Sequence, residues 1–289
     1  LNYGWIFKCC VYFILFKKRS VEMVRAVVVG AAGRMGATVI RTIRETEGIE
    51  IAGAVERPDH PFLNRDAGEV SGIGEIGVPI VGDIEGAIEA GDVVIDFTSA
   101  EVSLRSLEVC SAKGVAAVIG STGFTPQQMD EVRVLAGKTR CVISPNMSVG
   151  VNVMFKVVGE IARILGDEYD VEILEAHHRF KKDSPSGTAM KLGEVAASAL
   201  NRDFHQVGVF GRKGVIGERK SKEIGMQAVR AGDIVGEHTV IFGGLGERVE
   251  VTHRSHSRDN FARGAIRAAK WVIKQPNGLY DMGDVLGLK

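Results

Sequence analysis

The sequence predicts an α/β protein with two sheets: a parallel sheet covered by helices on both faces, then a second α+β domain built on an open mixed sheet. Largely apolar runs such as 24–29 and 92–97 read as strands buried on both faces. They alternate with helically spaced segments up to residue 144, the pattern of βαβ units. Past Asn146 the alternation stops, and consecutive strands follow with short glycine-containing turns, which read as antiparallel neighbours.

In order, the first domain reads as strand 24–29, helix 34–45, strand 49–55, short helix 84–90, strand 92–97, helix 102–113, strand 116–119, helix 126–136 and strand 140–144. The second opens with a long apolar helix, 149–165, then strand 169–176 and helix 188–200. Strands 223–230, 237–242 and 248–254 complete it. The helix at 259–274 and the tail at 281–288 are expected to return to the first sheet, which otherwise lacks cover on one face. The expected division is 23–147 plus 258–289 for the first domain and 148–257 for the second.

With 289 residues, 45% of them hydrophobic, the chain can fill two cores. Lys+Arg and Asp+Glu balance at 36 each, which argues against a nucleic-acid partner. The four cysteines, Cys9, Cys10, Cys110 and Cys141, have neither zinc-site nor disulfide-framework spacing and read as reduced thiols of a cytoplasmic protein. Residues 5–16 are mostly apolar, but the run is too short to cross a membrane, and Lys17, Lys18 and Arg19 follow it where a signal peptide has its charge in front. Residues 1–22 are therefore expected to be an extension outside the fold, with no membrane role; a peripheral anchor is the lesser reading.

The first strand runs into Gly30-Ala31-Ala32-Gly33-Arg34-Met35-Gly36 and then a helix. Such glycines let the backbone turn sharply and approach a pyrophosphate, whose charge sits at the helix N-terminus. Glu56, twenty residues beyond Gly36 at the end of the second strand, is placed for the adenosine ribose. Together they mark a Rossmann-like dinucleotide site. Arg57 next to that acid offers a partner for a 2′-phosphate, so NADH or NADPH is expected. Two strand-end turns, Asp96-Phe97-Thr98-Ser99 and Gly120-Ser121-Thr122-Gly123, suit the nicotinamide ribose.

The segment 175–188 reads Glu-Ala-His-His-Arg-Phe-Lys-Lys-Asp-Ser-Pro-Ser-Gly-Thr. His177 and His178, adjacent on an extended strand, are expected to point to opposite faces and so to make poor joint ligands for one metal. The cations suggest an anionic substrate, and the N–H groups of Gly187 and Thr188 at a helix start suit a carboxylate.

This segment resembles the His-His-x-x-Lys-x-Asp-x-Pro-Ser-Gly-Thr signature of the dihydrodipicolinate reductase family. The similarity extends from Val24 to the C-terminus and includes Gly30–Gly36, Asp96-Phe97-Thr98, 146–152 and 230–238. The resemblance implies NAD(P)H-dependent reduction of a cyclic imine dicarboxylate, dihydrodipicolinate, on the route to diaminopimelate and lysine. By position it implies His177 as general acid/base, Lys181 as proton donor, His178 as a substrate contact, and Gly187 and Thr188 as carboxylate binders. It places Gly30, Ala31, Ala32, Gly33, Arg34, Met35, Glu56, Arg57, Gly120, Ser121, Thr122, Ser144, Pro145, Asn146 and Met147 along the cofactor. Ser121 departs from the family's usual Thr but keeps the hydroxyl. The resemblance further implies a homotetramer formed through the second sheets and closure of the domains about hinges near 146–149 and 254–259. Without it, the residues leave open another two-domain NAD(P) oxidoreductase, such as a homoserine dehydrogenase-like enzyme, or a non-enzymatic NAD-sensing regulator. A semialdehyde dehydrogenase would need a Cys nucleophile, and neither Cys110 nor Cys141 stands in such a context.

Overall fold

The computed structural model describes residues 23–289, so the expected extension at 1–22 lies outside the described residues. The first half runs β1 (Val24–Val29), α1 (Arg34–Arg44), β2 (Ile49–Val55), α2 (Ala67–Ser71), β3 (Ile80–Val81), α3 (Ile84–Ile88), β4 (Val93–Asp96), α4 (Ala100–Lys113), β5 (Ala116–Ile119), α5 (Pro126–Ala136) and β6 (Arg140–Ile143). The second has α6 (Val149–Leu165), β7 (Asp170–His177), α7 (Gly187–Ala199), α8 (Phe204–Val207), β8 (Gly208–Phe210), β9 (Ile224–Arg230), β10 (Gly236–Gly243) and β11 (Arg248–Ser255). The chain then adds α9 (Asp259–Val272), β12 (Gly278–Tyr280) and α10 (Met282–Leu286).

The first sheet has seven strands in the order β12-β6-β5-β4-β1-β2-β3, all parallel. Its strands are mostly apolar because both faces are covered, with charges such as Arg25, Glu50, Asp96 and Arg140 at or near strand ends. Ala26 and Val28 of β1 enter one core with α1 and α9, while Val27 and Val29 enter another with Ile88, Leu107 and Val132. Alternation along an extended strand sends successive side chains to opposite cores. α9 supplies the cover that the first sheet lacks. Its buried face is mostly small (Ala262, Gly264, Ala265, Ala268, Ala269), so its axis lies close to the sheet. A Cβ on Gly264 would stand 1.7 Å from the Met147 carbonyl oxygen, so only glycine allows α9 to seat against the β6–α6 link.

The second sheet, β11-β10-β7-β9-β8, is mixed and carries α6 and α7 on one face. Val171 and Ile173 of β7, Met226 of β9 and Val240 and Phe242 of β10 fill the core beneath those helices.

Several expectations need correction. β10 and β11 pair antiparallel as expected, but β9 and β10 are not neighbours: β7 lies between them, antiparallel to β10 and parallel to β9. The 231–235 link crosses the end of β7, held by Ala231 N–H donating to the His177 carbonyl (2.9 Å) and Arg179 N–H to the Gly232 carbonyl (3.1 Å). A short link thus bridges over a strand, which turn length alone cannot reveal. The short elements α2, β3, α8 and β8 were absent from the sequence reading. The expected tail is also more than a tail: β12 adds a parallel edge strand beside β6 before α10 begins.

Candidate active site

The C-terminal ends of the first sheet's strands carry the glycine turn. Gly30 has φ +72°, and the N–H groups of Gly30 and Ala31 both donate to the Val55 carbonyl (2.9 and 3.0 Å). This pair of hydrogen bonds to the next strand turns the chain out of the sheet. Gly33 caps α1 without any side-chain bond to its first turn, leaving N–H groups there for a ligand. A Cβ on Gly36 would lie 2.1 Å from the Gly30 oxygen. The cradle is therefore closed to any side chain and fits a pyrophosphate. Glu56 reaches over it, accepting from Ala32 N–H at 3.2 Å and Arg57 N–H at 3.1 Å. Arg34 and Arg57 are exposed, and Arg57 pairs with Asp59 at 3.2 Å.

Asp96 organises the adjoining turn from a fully buried position. It accepts from Thr98 N–H (2.8 Å), Thr98 Oγ1 (2.6 Å) and Ser106 Oγ (2.8 Å). Burial nevertheless pushes its carboxyl above the usual carboxylate range. A Cβ on Gly120 would stand 2.2 Å from the Phe97 ring, so glycine is what lets Phe97 fold across that strand end. Ser121 is buried and shares a 2.7 Å hydrogen bond with Ser103, while Thr122 is exposed.

The β6–α6 link joins the halves. Ser144 Oγ donates to the Asn146 carbonyl (3.0 Å), and Asn146 Oδ1 accepts from Ser148 N–H (2.8 Å). Asn146 Nδ2 then donates to Thr188 Oγ1 at 3.0 Å, tying the link to the first turn of α7. Pro145 is exposed, whereas Met147 is buried in the first core rather than on a cleft wall.

The arrangement around His177 follows from alternation along β7. Val171, Ile173, Glu175 and His177 share its buried face, apolar under the helices and ionic at the cleft end. His177 Nδ1 lies 2.6 Å from Glu175 Oε2. Arg230 grips both oxygens of Glu175 at 2.7 Å, and Ser186 N–H donates to Oε1 at 3.0 Å. Cross-strand neighbours complete the row: Arg230 stands opposite His177, and His238 opposite both Glu175 and His253. A Cβ on Gly236 would lie 3.0 Å from His177 Nε2, so glycine leaves that nitrogen room.

Burial pushes the Glu175 carboxyl up, but Arg230 and then His177 more than offset this and hold it below the usual range. His177 is pulled below the ordinary histidine value by burial even with Glu175 beside it. The two directions are compatible because the carboxylate's charge is already shared with Arg230. His238 is pushed down to about 3 by burial; its Nε2 sits 2.9 Å from Ser186 Oγ.

His177 and His178 both line the cleft, contrary to the opposite-face expectation. β7 ends at His177, and a turn closed by Lys181 N–H on the His178 carbonyl (3.1 Å) takes His178 out of the strand geometry. Among the described residues no group of three or more His, Cys, Asp or Glu is placed to hold a metal ion. Lys181 pairs with Asp183 at 2.9 Å. Ser186 caps α7, leaving Gly187 and Thr188 in its first turn.

These elements enclose one cleft of ≈ 430 Å³. Met35, Phe97, Gly120 and Thr122 form one wall, Pro145 and Asn146 the floor, and His177, His178, Lys181, Gly187 and Thr188 the other wall. His238, His253 and Arg258 also face it. Glu175, Ser186, Arg230, His238 and Arg258 had no assigned role in the sequence reading. Glu175 was within reach of it, since two-residue spacing puts it on the face of His177. Arg230 and His238 join only through strand register.

Models of the two halves of one family match this chain: "Dihydrodipicolinate reductase, N-terminus" over residues 24–147 and "Dihydrodipicolinate reductase, C-terminus" over 150–286. It is 58% identical over 267 residues to the 4-hydroxy-tetrahydrodipicolinate reductase of Citrifermentans bemidjiense, a match covering 92% of this chain and 100% of the relative. The reductase of Syntrophobacter fumaroxidans is likewise 58% identical, with the same coverage. A solved dihydrodipicolinate reductase from Paenisporosarcina sp. TG-14, with dipicolinate bound, superposes with a TM-score of 0.71 at 26% identity, covering 90% of this chain and 97% of that one.

Proposed function

From the premise that the chain belongs to the dihydrodipicolinate reductase family, we propose how its residues divide the work of the reaction. The activity is NAD(P)H-dependent reduction of dihydrodipicolinate, formed from 4-hydroxy-tetrahydrodipicolinate, to tetrahydrodipicolinate, in the biosynthesis of diaminopimelate and lysine. The observation that carries the assignment of roles is the cleft, where a glycine cradle faces an ion-paired histidine across ≈ 430 Å³.

Residues 23–147 plus 258–289 form the cofactor domain and 148–257 the substrate domain, with hinges near 146–149 and 254–259. The cradle of Gly30, Ala31, Ala32, Gly33, Arg34 and Met35 holds the pyrophosphate. Glu56 and Arg57 take the adenosine ribose and its 2′-phosphate. Gly120, Ser121, Thr122, Ser144, Pro145, Asn146 and Met147 shape the nicotinamide end, the buried ones through backbone and packing. When bound, the reduced nicotinamide supplies a hydride.

The substrate's two carboxylates need cationic partners. The first turn of α7 offers Gly187 N–H and the N–H and hydroxyl of Thr188. Lys181 and His178 offset the remaining charge. The solved relative with dipicolinate bound supports a dicarboxylate substrate. Reduction leaves an electron-rich ring that must be protonated. His177 Nε2, turned to the cleft while Nδ1 rests on Glu175, is the group to handle that proton, with Lys181 as the neighbouring donor. The protein is further proposed to be a cytoplasmic homotetramer. The helix-free face of its second sheet exposes Leu174 (39%) and Val229 (48%), an apolar surface suited to another copy. No described helix is long and apolar enough to cross a membrane.

Steady-state oxidation of NADH and of NADPH with freshly generated 4-hydroxy-tetrahydrodipicolinate tests this reading. Dipicolinate should compete with the substrate, and Thr188→Val should weaken that competition. Inhibition unaltered by Thr188→Val would remove the α7 terminus as the carboxylate site.

A further inference from the structure

The Glu175 carboxylate is 1% exposed and accepts four hydrogen bonds, two at each oxygen. Oε2 takes His177 Nδ1 (2.6 Å) and Arg230 Nη1 (2.7 Å); Oε1 takes Arg230 Nη2 (2.7 Å) and Ser186 N–H (3.0 Å). Arg230 is itself anchored by donating to the Asp183 carbonyl at 2.8 Å. A buried carboxylate with this donor set stays ionised and can only accept. The proton on His177 must therefore sit on Nδ1, which leaves Nε2 directed to the cleft beside Gly236. The same carboxylate holds the backbone of Ser186, the N-cap of the helix that opens with Gly187 and Thr188.

We propose that Glu175, clamped by Arg230, is a positioning residue: it fixes the tautomer and ring plane of His177 and registers that ring against the carboxylate-binding first turn of α7. The proposal rests on the acid/base reading of His177. The groups facing His177 are Glu175 on its own strand, Arg230 on β9, His238 on β10, and, on the following loop, Lys181, which pairs with Asp183. Of these, Glu175 favours the protonated imidazole, while the two cations oppose it. An amide at position 175 cannot accept all four bonds, and it removes the charge that supports a protonated ring.

Glu175→Gln should lower turnover roughly ten- to a hundredfold, by analogy with the carboxylates that orient metal-bound histidines, while leaving the NADH dissociation constant unchanged. Loss of the carboxylate should also move the alkaline fall of turnover to lower pH, because His177 then surrenders its proton more readily. Placed in a His177→Gln background, Glu175→Gln should cost almost nothing more in turnover. An equal cost with and without His177 would mean that Glu175 only supports the fold, and would overturn the proposal. Nitrogen NMR of the unmutated protein, labelled at histidine, gives a readout that needs no variant to fold. At neutral pH it should show His177 carrying its proton on Nδ1; a proton on Nε2 would refute the positioning role whatever the kinetics. Should His177→Gln keep near-normal turnover, the acid/base reading fails alone, and the NMR result still decides the positioning claim.

Discussion

The two walls of the cleft are built by different means. The first sheet presents backbone: glycines at 30, 33, 36 and 120, helix N–H groups, and one buried aspartate that braces a turn. The second presents side chains gathered from three strands and a helix start: Glu175 and His177 from β7, Arg230 from β9, His238 from β10, Ser186 before α7. A backbone cradle binds an anionic cofactor identically in ground and transition states. An ion-paired histidine can change its proton during the reaction. Altering the first wall should therefore change binding, and altering the second should change the chemistry.

The largest separation is expected at His177. His177→Gln keeps size and polarity but loses acid/base capacity. General acid catalysis contributes ~10²–10⁴-fold, so turnover should fall by about that much while the cofactor's affinity, measured by fluorescence titration, stays level. A variant retaining near-normal turnover with both substrates saturating would shift the proton-donor role to Lys181 or water.

The second effect belongs to His238, which burial keeps neutral down to about 3. Below its ordinary value of ~6.5 the unfolded chain takes a proton that the folded chain refuses. Stability should therefore fall as pH drops from ~6.5 toward 3, by up to about 1.4 kcal/mol per pH unit from this group. Urea unfolding should show a shallower pH slope for His238→Asn across that window. Equal slopes would mean that His238 titrates normally.

On the backbone wall, Arg57→Ala should weaken NADPH selectively. A charge-assisted bond is worth ~1.5–3 kcal/mol, so about a tenfold or larger loss is expected for NADPH and little for NADH. Equal losses would leave Arg57 as the partner of Asp59 that the structure shows. The smallest effect is expected at Thr188→Val. The proposed hydroxyl contact would be present in ground and transition states alike, so KM should rise by a few-fold to roughly tenfold with turnover nearly unchanged.

The same contrast explains what the sequence discloses. Gly30 to Gly36 are contiguous, and the buried strand before them and the helix after them are local patterns, so the cradle could be read directly. His177, Lys181, Gly187 and Thr188, which line the cleft, fall in one short segment and so could be put forward together from the sequence. Arg230 and His238, 53 and 61 positions beyond His177 by number (230 − 177 and 238 − 177), meet it only because β7 inserts between β9 and β10. That insertion was the part of the fold misread from turn length. The opposite-face expectation for His177 and His178 failed for a related reason, since periodicity holds only while the strand continues, and β7 stops at His177. Short pieces such as β3, two residues long, and β12, three residues long, carry too few positions for any period to show.

The two walls are proposed to meet so that a hydride moves from the nicotinamide to a cyclic imine dicarboxylate. Turnover with NADH deuterated at the transferred C4 position, followed by mass spectrometry of the product, tests it most directly. One deuterium should appear in tetrahydrodipicolinate for each NADH consumed, and His177→Gln should slow that transfer without altering the label. Cofactor oxidation with no deuterium in the product, or no oxidation with freshly generated substrate, would contradict the claim.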